Sequence, residues 1–463
     1  MTDQLSPLIR VSRNSPFRAC TIGGPGISYG NTEIEPYIAV NPTTVGRGEN
    51  RVNYIGIWQG DRWSNGAAKG LVAASSFDGG RTWRNTALPF SRCVNQNFPY
   101  DRASDPWVSF GPDGTAYVSA LCINIGANEE VTDSAIAAAT SFDGGRSWQY
   151  VNIIKEDSAA GIVNDKEAIT ADPTTPRVAY MVWDRVTPNG APTWFSKTTD
   201  GGETWSKPRI IFNPGKNNGT IGNQIVVDPN TGTLYNFFTL TLNMTQEQKS
   251  ESFVAVQTSD DQGESWSKPI IISRLQGIGV IDPNTKAKIR SAGEMIPEPA
   301  IDEKTGVLYV VWQDSRFNGG IYDEIALSSS RDGGQTWTKP IRVNTPTGKP
   351  AFTPMVRVNS DGIVGVTYFD LRQQDPTHET LPVNYWFTSS DDCGRTFKTE
   401  IKISGPFDML LSALQFPPSV PGYFIGDYMG LTNVEETFVS FFSQTNNDFE
   451  NRTSALFRKI RPR

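Results

Sequence analysis

Histidine is almost absent from this sequence: one residue, His378, occurs among 463. Cysteine is nearly as rare, with four residues that show no metal-binding spacing. A zinc site built from the usual Cys and His ligands is therefore not expected, and we predict no metal and no cofactor. Apolar runs are short as well. None approaches the ~18 residues that a membrane-spanning helix needs, so we predict no membrane span.

Positive charge is in deficit, with 42 Lys and Arg against 49 Asp and Glu and a net charge of -7. An acidic surface does not favour a polyanion, so we expect no nucleic-acid partner. The first six residues lack the basic and apolar stretches of a signal peptide. A cytoplasmic protein and the mature form of a secreted one both fit this start, and we favour the secreted form. The sequence does not indicate an oligomeric state.

Glycine (42), proline (31) and tryptophan (12) are plentiful, and one short motif recurs six times. Each copy reads Ser/Thr-x-Asp-x-Gly-x-Ser/Thr-Trp/Phe, around Asp78, Asp143, Asp200, Asp261, Asp332 and Asp392. Successive aspartates lie 65, 57, 61, 71 and 60 residues apart, a period typical of a repeat architecture. The carboxylate can accept hydrogen bonds from the backbone amides ahead of it, and the glycine can adopt a left-handed conformation. We expect the closing aromatic side chain to pack against the next repeat.

This motif resembles the Asp-box, or BNR repeat, of the sialidase-like β-propellers, and the resemblance covers roughly residues 35 to 460. It implies an all-β fold of four-stranded blades arranged around a central axis. It implies less about activity, because Asp-boxes also occur in other glycoside hydrolases, in polysaccharide lyases and in receptors without catalysis. Fold and function therefore need separate arguments.

The ends of the chain decide the number of blades. Boxed repeats occupy about residues 35–403, and a further set at about 422–460 has neither a box nor a fourth strand. The N-terminal segment 7–11 resembles the fourth strands of other repeats, so we predict that it completes the last blade and removes an open edge. Seven blades are favoured and six remain possible. We expect residues 1–463 to form one domain.

Strand direction alternates within a blade, so the Asp-boxes lie on one face and the blade crossovers on the other. Binding sites of propellers form where loops converge on the axis. We therefore predict a structural role for the box aspartates and a ligand site on the opposite face. The longest crossover, residues 273–297, is expected to form a rim over the channel mouth. Cys20 and Cys93 lie in irregular segments of adjacent blades, so a disulfide and two free thiols both remain open.

An acid–arginine signature recurs at the ends of the second strands, and more acids begin the inner strands. The second strands contribute Asp61-Arg62-Trp63, Asp184-Arg185, Asp314 with Arg316, and Asp370 with Arg372. The inner strands contribute Glu35, Asp105, Asp165-Lys166-Glu167, Glu298 and Asp427-Tyr428. We expect all of them to point toward one end of the central channel. Each acid–arginine pair can also be a local salt bridge that stiffens its loop. A whole ring of desolvated charges is costly unless they pair with each other or bind a ligand.

The chemistry of this ring suits a carbohydrate or another small molecule. Arginine binds carboxylates, aspartate accepts sugar hydroxyls, and Trp58, Trp63, Trp183 and Trp312 could stack on sugar rings. Paired carboxyl groups can serve as acid and base in glycoside cleavage. The catalytic candidates are Asp61, Asp184, Asp314, Asp370, Asp427, Tyr428 and Glu298. The ligand-binding candidates are Glu35, Arg62, Trp63, Asp105, Asp165, Arg185, Arg316, Arg372 and His378.

The resemblance to sialidases implies an arginine cluster for a substrate carboxylate, a Tyr–Glu nucleophile pair and an Asp acid/base. Tyr428 is the candidate nucleophile, with Glu298 or Glu294 as its partner; a tyrosine packed in an inner strand is the alternative. The Arg-Ile-Pro sequence of typical sialidases is absent near the N-terminus.

We favour a sialidase-like glycoside hydrolase acting on an anionic or polyhydroxylated glycan. A polysaccharide lyase with His378 as its base is an alternative, since the ordinary pKa of histidine suits proton abstraction near neutrality. A solvated loop histidine is equally compatible with that position. Another small-molecule enzyme on this scaffold and a non-catalytic glycan-binding propeller also remain open.

Overall fold

The computed structural model describes residues 4–245, 250–282, 288–289, 295–375, 377, 379–415, 422–448 and 451–462. Its strands group into antiparallel four-stranded units, and a bridge between Ala68 and Ala103 joins the first two units into one eight-stranded sheet. The first three are β2 to β5 (Ser28–Val40, Tyr54–Trp63, Ala68–Ser76, Arg84–Ala87), β6 to β9 (Arg102–Phe110, Ala116–Ile125, Val131–Ser141, Gln149–Asp157) and β10 to β13 (Val163–Ala171, Ala179–Val186, Thr193–Thr198, Arg209–Phe212).

The next two blades are β14 to β17 (Gly219–Val227, Leu234–Leu242, Glu251–Ser259, Ile270–Arg274) and β20 to β23 (Glu298–Ile301, Leu308–Asp314, Glu324–Ser330, Ile341–Arg342). The last two are β24 to β27 (Ala351–Val358, Val364–Asp370, Pro382–Ser390, Ile401–Asp408) and β30, β31, β32 and β1 (Gly430–Val434, Thr437–Asp448, Asn451–Ile460, Ile9–Arg10). Short 3₁₀ turns occupy Pro42–Thr44, Glu49–Arg51, Arg316–Asn318 and Met409–Leu411. The predicted all-β propeller architecture is confirmed.

In the described part of the chain, the first strand of each unit contacts the first strand of the next, and the contacts return from β30 to β2, so these units form a closed ring. The N-terminal strand closes the last unit as predicted: Ile9 pairs with Phe457 and Arg10 with Leu456. Between the blades lies a tightly packed apolar core, and the second strands β3 and β21 are buried along their whole length. Such burial on both faces requires small or apolar side chains at almost every position of a strand.

The Asp-boxes have the structural role that the sequence predicts. In the first box, Asp78 Oδ1 accepts from the backbone amides of Arg81 (3.0 Å) and Thr82 (2.9 Å), and its Oδ2 accepts from the Thr82 hydroxyl (2.6 Å). Ser76 donates to the same carboxylate at 2.9 Å. These hydrogen bonds outweigh the effect of burial and lower the pKa of Asp78.

The closing aromatics Trp83, Trp266 and Trp337 pack against the preceding blade, so for these boxes our expectation of packing on the next repeat was wrong. Trp83 of the first blade lies 5.3 Å from the ring of Phe457 in the last blade. Trp266 lies 5.7 Å from Phe195, also one blade back. The box turns back toward the strands that come before it in the ring, which explains why its aromatic side chain packs on the preceding blade.

Two blade crossovers form a small extra sheet, here named the cap sheet. Its strands are β18 (Val280–Ile281), β19 (Lys288–Ile289), β28 (Ala413–Gln415) and β29 (Gly422–Phe424), in the order β18-β19-β29-β28. The described part of the long crossover therefore joins a second crossover. A disulfide links Cys20 and Cys93, whose Cα atoms are 5.5 Å apart, while Cys122 and Cys393 are free thiols.

Candidate active site

A repeated distortion of the inner strands places side chains at the propeller axis. The pairing of the first and second strands is interrupted by a bulge in five blades. Each bulge contains one residue with left-handed backbone, with φ between +48° and +68°: Glu35, Asp105, Lys166, Gly222 and Thr353. A bulge re-aims a side chain, and this conformation costs a non-glycine residue about 1–2 kcal/mol. Strain repeated at equivalent positions of several blades makes this end of the axis a candidate functional site.

Lys166 is the centre of the group of side chains that we call the axial cluster. Its Nζ lies 2.6 Å from Asp427 Oδ2, 3.2 Å from Asp105 Oδ1 and 3.8 Å from Glu35 Oε1. These carboxyl groups come from three different blades. Burial lowers the pKa of the lysine, but Asp105 and Asp427 outweigh that effect and raise it above its ordinary value. The ammonium group therefore stays charged and compensates the carboxylates around it.

Polar contacts connect the cluster to the cap sheet. The Gln59 amide donates to Glu35 and, at 3.0 Å, to Ser104 Oγ. Arg62 Nη1 donates to Gln59 Oε1 at 2.8 Å, and the guanidinium lies 4.9 Å from the ring centre of Phe424 in β29. Burial lowers the pKa of Arg62. Arg62 is thus held by an amide and covered by an aromatic ring.

The pKa values of the carboxyl groups in the cluster are shifted in opposite directions. Burial raises the pKa of Asp105, but the Lys166 ammonium and hydrogen bonds outweigh it and lower the pKa. Burial and neighbouring Asp105 instead raise the pKa of Glu35 well above its ordinary value. Burial raises the pKa of Asp165 to about 6 against the opposing effect of Lys166. Asp184, paired with Asp165 across the strands, has its pKa raised well above normal by burial and by Asp165. The surroundings therefore shift the pKa values of neighbouring carboxyl groups in opposite directions.

A narrow cavity adjoins the cluster and has room for about one water molecule. Its walls come from blades 2, 3, 4 and 7 and from the end of the long crossover: Asp105, Trp107, Lys166, Glu167, Gly222, Asn223, Gln224, Ile296 and Tyr428. Sequence reasoning placed Lys166 and Glu167 in the ring without assigning them a role, and it missed Trp107, Asn223 and Gly222. Three successive charged residues, 165–167, within a buried inner strand were the visible signal.

Tyr428 and Glu298 do not form the predicted nucleophile pair. The Tyr428 hydroxyl donates to the Pro106 carbonyl oxygen at 3.0 Å, and its ring packs 4.9 Å from that of Trp107. Burial raises the pKa of Tyr428 well above its ordinary value, so its phenol stays neutral. Glu298 accepts from Gln224 at 3.2 Å, and burial raises its pKa to about 8. Tyr428 thus has the contacts of a packed inner-strand tyrosine; Glu294 lies outside the described residues.

Two of the four acid–arginine pairs are local ion pairs. Arg316 lies 2.7 Å from Asp314, which also accepts from the indole of Trp312 at 2.7 Å. Arg372 binds both Asp370 and, at 2.8 Å, Glu400. These groups stiffen their loops and are satisfied by one another. Each arginine binds a carboxylate of its own blade, so both pairs have the contacts of the local salt bridges that the sequence also allowed.

In the other two pairs, the acid and the arginine bind different partners and not each other. Arg185 binds Asp157 at 2.6 and 2.8 Å and leaves Asp184 to face the axial carboxyl groups. Asp61 accepts from the backbone amide of Asn31 at 2.8 Å and lies 3.8 Å from Lys69, away from Arg62. Neighbours in a strand point to opposite faces, so an acid and an arginine adjacent in sequence separate in space.

The predicted aromatic platforms are wrong as well. Trp58, Trp183 and Trp312 are fully buried between blades, and the Trp63 ring lies beneath the Arg102 guanidinium at 4.5 Å. His378 lies outside the described residues. Within the part of the chain that the structure describes, no three His, Cys, Asp or Glu side chains are arranged to hold a metal ion. No helix in that part is long and apolar enough to cross a bilayer.

Comparisons with known proteins agree with the architecture. A family model described as a BNR repeat-like domain matches residues 191–288. A solved protein of unknown function from Dyadobacter fermentans is 13% identical, with a TM-score of 0.50 over 95% of this chain and 97% of that one. An α-L-arabinofuranosidase of Fusarium graminearum, solved with an iminosugar inhibitor, is 10% identical, with a TM-score of 0.51 over 99% and 98%. Identities this low show the fold alone. No curated protein sequence matches the chain significantly.

Proposed function

Because the chain is an Asp-box (BNR-repeat) β-propeller, we propose that it is a glycoside hydrolase acting on a neutral, polyhydroxylated glycan at the axial cluster. One observation carries this proposal: carboxyl groups from several inner strands meet around Lys166, and their surroundings raise the pKa of Glu35 and lower that of Asp105. Glycoside hydrolysis needs a protonated carboxyl group for the leaving oxygen and a carboxylate that acts as base or nucleophile. The α-L-arabinofuranosidase of the same fold supports hydrolysis of a glycosidic bond as the reaction class. The substrate class is argued from the charges of the site.

The charges of the site favour a neutral ligand over an anionic one. A substrate carboxylate needs arginine or lysine groups that are free to bind it. Arg316 and Arg372 are bound to carboxylates of their own blades, and Arg185 is bound to Asp157 of the preceding blade. Lys166 is surrounded by carboxyl groups, which leaves Arg62 as the remaining axial cation among these residues. Sialic acids and uronates would meet an excess of acidic groups there.

The excess of acidic groups at the axis also weighs against the sialidase and lyase alternatives. A lyase needs a base beside the uronate and a cation that neutralises its carboxylate. The Tyr428 phenol is neutral and donates to a backbone carbonyl, so it is a poor base. Sugar hydroxyl groups, in contrast, can both donate to carboxylates and accept from protonated carboxyl groups.

The test is incubation of the purified protein with neutral glycosides (arabinosides, galactosides, glucosides and mannosides), sialosides and uronate-containing oligosaccharides. Products are followed by mass. We expect cleavage with gain of water in the neutral group alone. Release of sialic acid, or an unsaturated product, would overturn the proposed substrate class. Saturable glycan binding without any product would instead indicate a binding module.

A further inference from the structure

A groove lies on the outer strands of the last blade, and it shares no lining residue with the axial cavity. Its volume is about 450 Å³, within the range of about 300–1,000 Å³ that is usual for ligand pockets. The lining includes Arg10 from β1, Gln444, Asn446 and Asp448 from β31, and Ser454 and Leu456 from β32. The groove therefore has room for a ligand, whereas the axial cavity has room for about one water molecule.

The groove is on the same face of the propeller as the axial cluster. Its residues come from the end of β31 and the start of β32, which are the second and third strands of their blade. Because strand direction alternates within a blade, these ends lie opposite the Asp-boxes. The Thr453 hydroxyl, next to Ser454, donates to the Glu33 carbonyl oxygen at 2.7 Å, two residues before Glu35 of the cluster. One side of the molecule thus carries both features.

Hydrogen bonds hold the amide side chains of the groove in position. Asn446 Nδ2 donates to Ser454 Oγ at 3.1 Å, and Asn446 Oδ1 accepts from the backbone amide of Asp448 at 2.8 Å. Gln444 Oε1 accepts from the hydroxyl of Ser404 in the sixth blade at 2.5 Å. Side chains that are already ordered lose less conformational entropy when a ligand binds. The groove is therefore preorganised.

Donor groups of the groove remain available to a ligand. Within the described residues, the amide nitrogen of Gln444 makes no hydrogen bond, because only its oxygen is engaged. Arg10 is exposed, and its guanidinium donates to the side-chain oxygen of Asn451. No ion pair joins Arg10 to an acid in the part of the chain that the structure describes, in contrast to Arg316 and Arg372. A ligand oxygen in the groove can accept from both side chains.

The composition of the groove suits a neutral sugar. Guanidinium and amide groups donate to sugar oxygens, and the carboxylate of Asp448 can accept from sugar hydroxyls. Leu456, 6% exposed, adds an apolar surface for the carbon-bound hydrogens of a sugar ring. The charges of Arg10 and Asp448 cancel, so these walls do not select an anion. Hydroxyl groups that both donate and accept match this mixture of partners.

We propose that this groove is a non-catalytic subsite for a neutral oligosaccharide, with Arg10 and Gln444 as its main hydrogen-bond donors. The subsite holds one part of a long glycan on the face that carries the axial cluster. It goes beyond the proposed hydrolase function and does not depend on it, because binding in the groove requires no chemistry at the axis.

The test compares the double variant Arg10→Ala/Gln444→Ala with a matched control, Arg47→Ala/Gln262→Ala. Arg47 and Gln262 are exposed and lie outside the groove. The probes are tetra- to hexasaccharides of arabinan, galactan, glucan and mannan, and calorimetric titration measures the dissociation constant. We expect the wild type to bind at least one probe, and the groove variant to bind it about tenfold or more weakly because two donors are lost. The control should bind like the wild type.

A second variant guards against a loss of folding. Arg10 lies on the strand that closes the last blade, so the single variant Gln444→Ala, which leaves β1 intact, is titrated as well. It should also bind the probe more weakly than the wild type does. Thermal unfolding shows whether each variant is folded at the temperature of the titration.

The outcomes separate this proposal from the hydrolase. Equal binding by wild type and both groove variants would overturn the subsite, and so would a wild type that binds none of the probes. Neither result bears on hydrolysis, which is followed by product mass. A wild type that binds through the groove but cleaves nothing would overturn the hydrolase and leave the subsite standing.

Discussion

Acidic side chains lie in opposite environments on the box face and at the axis of the propeller. On the box face, Asp143 is partly exposed and accepts from Arg146 and Ser147 amides and from two hydroxyl groups, and these hydrogen bonds outweigh burial and lower its pKa. At the axis, Glu167 and Glu298 are buried with few or no donors, and burial raises their pKa values. The number of hydrogen-bond donors and the degree of burial, and not the residue type, decide whether the pKa of an acid is lowered or raised.

Of the changes that test this comparison, removal of the axial cation should have the largest effect on the free energy of unfolding. Lys166→Met leaves Asp105 and Asp427 buried without their counter-charge, which we expect to cost about 3–5 kcal/mol in the free energy of unfolding. The control is Lys459→Met, which breaks an ion pair with the exposed Glu49 and should cost about 0–1 kcal/mol. Urea unfolding measures both. Similar losses in the two variants would contradict the central role of Lys166.

Packing of the boxes on the preceding blade should have the next largest effect. A Cβ atom on Gly80 would lie 2.4 Å from the Phe457 ring, whereas one on Gly232 would meet nothing within 4 Å. Both glycines have positive φ, so both alanine variants carry a backbone cost of about 1–2 kcal/mol. Gly80→Ala should lose about 1–3 kcal/mol more, because the blades cannot approach as closely. Equal thermal unfolding of the two variants would count against the tight contact.

The pH dependence of stability should distinguish the two faces. Burial raises the pKa of Glu298 to about 8 from an ordinary value of 4.5. Between these values the folded protein binds a proton that the unfolded chain has released. Glu298 therefore makes stability fall by about 1.4 kcal/mol per pH unit as pH rises through this window.

We expect Glu298→Gln to lose this component of the slope, measured as the free energy of unfolding from pH 5 to pH 8. Asp143, whose pKa is lowered, should act in the other sense. Its contribution is present above its ordinary pKa and is lost as the pH falls through its lowered pKa. An unchanged slope in Glu298→Gln would show that this acid is ionised in the folded protein.

Weakening the hydrogen bonds of a single box should have the smallest effect on the free energy of unfolding. Asp143→Asn keeps the size of the side chain but weakens its hydrogen bonds to the Ser147 amide (3.0 Å) and hydroxyl (2.6 Å). We expect a loss of about 1–2 kcal/mol with unchanged activity. Chemical unfolding and the glycoside assay measure the two quantities. A loss of activity at constant stability would mean that the box face takes part in function.

The sequence predicted what depends on local pattern. The boxes, the strand order and the closing N-terminal strand all follow from short motifs and turn residues, and so does the gathering of acids such as Glu35, Asp105 and Asp427 at the axis. The partners of the arginines did not follow. Asp184 and Arg185 are neighbours in a strand, so their side chains point to opposite faces, and Arg185 binds Asp157 of the preceding blade, which no local pattern identifies. The two unpartnered oxygens of the buried Glu167 in the described structure were also hidden, because local sequence does not show which groups neighbouring blades supply.

The pairing of β1 with β32 has a consequence for how the molecule is made. Ile9 and Phe457 are joined across nearly the whole length of the chain. A ribosome releases Ile9 long before Phe457, so the ring cannot close until the last blade has been synthesised. Until then Trp83 lacks the ring of Phe457, and Lys166 lacks Asp427. The charged centre is thus assembled only after the last blade has emerged, and a shorter nascent chain carries its acids exposed to water.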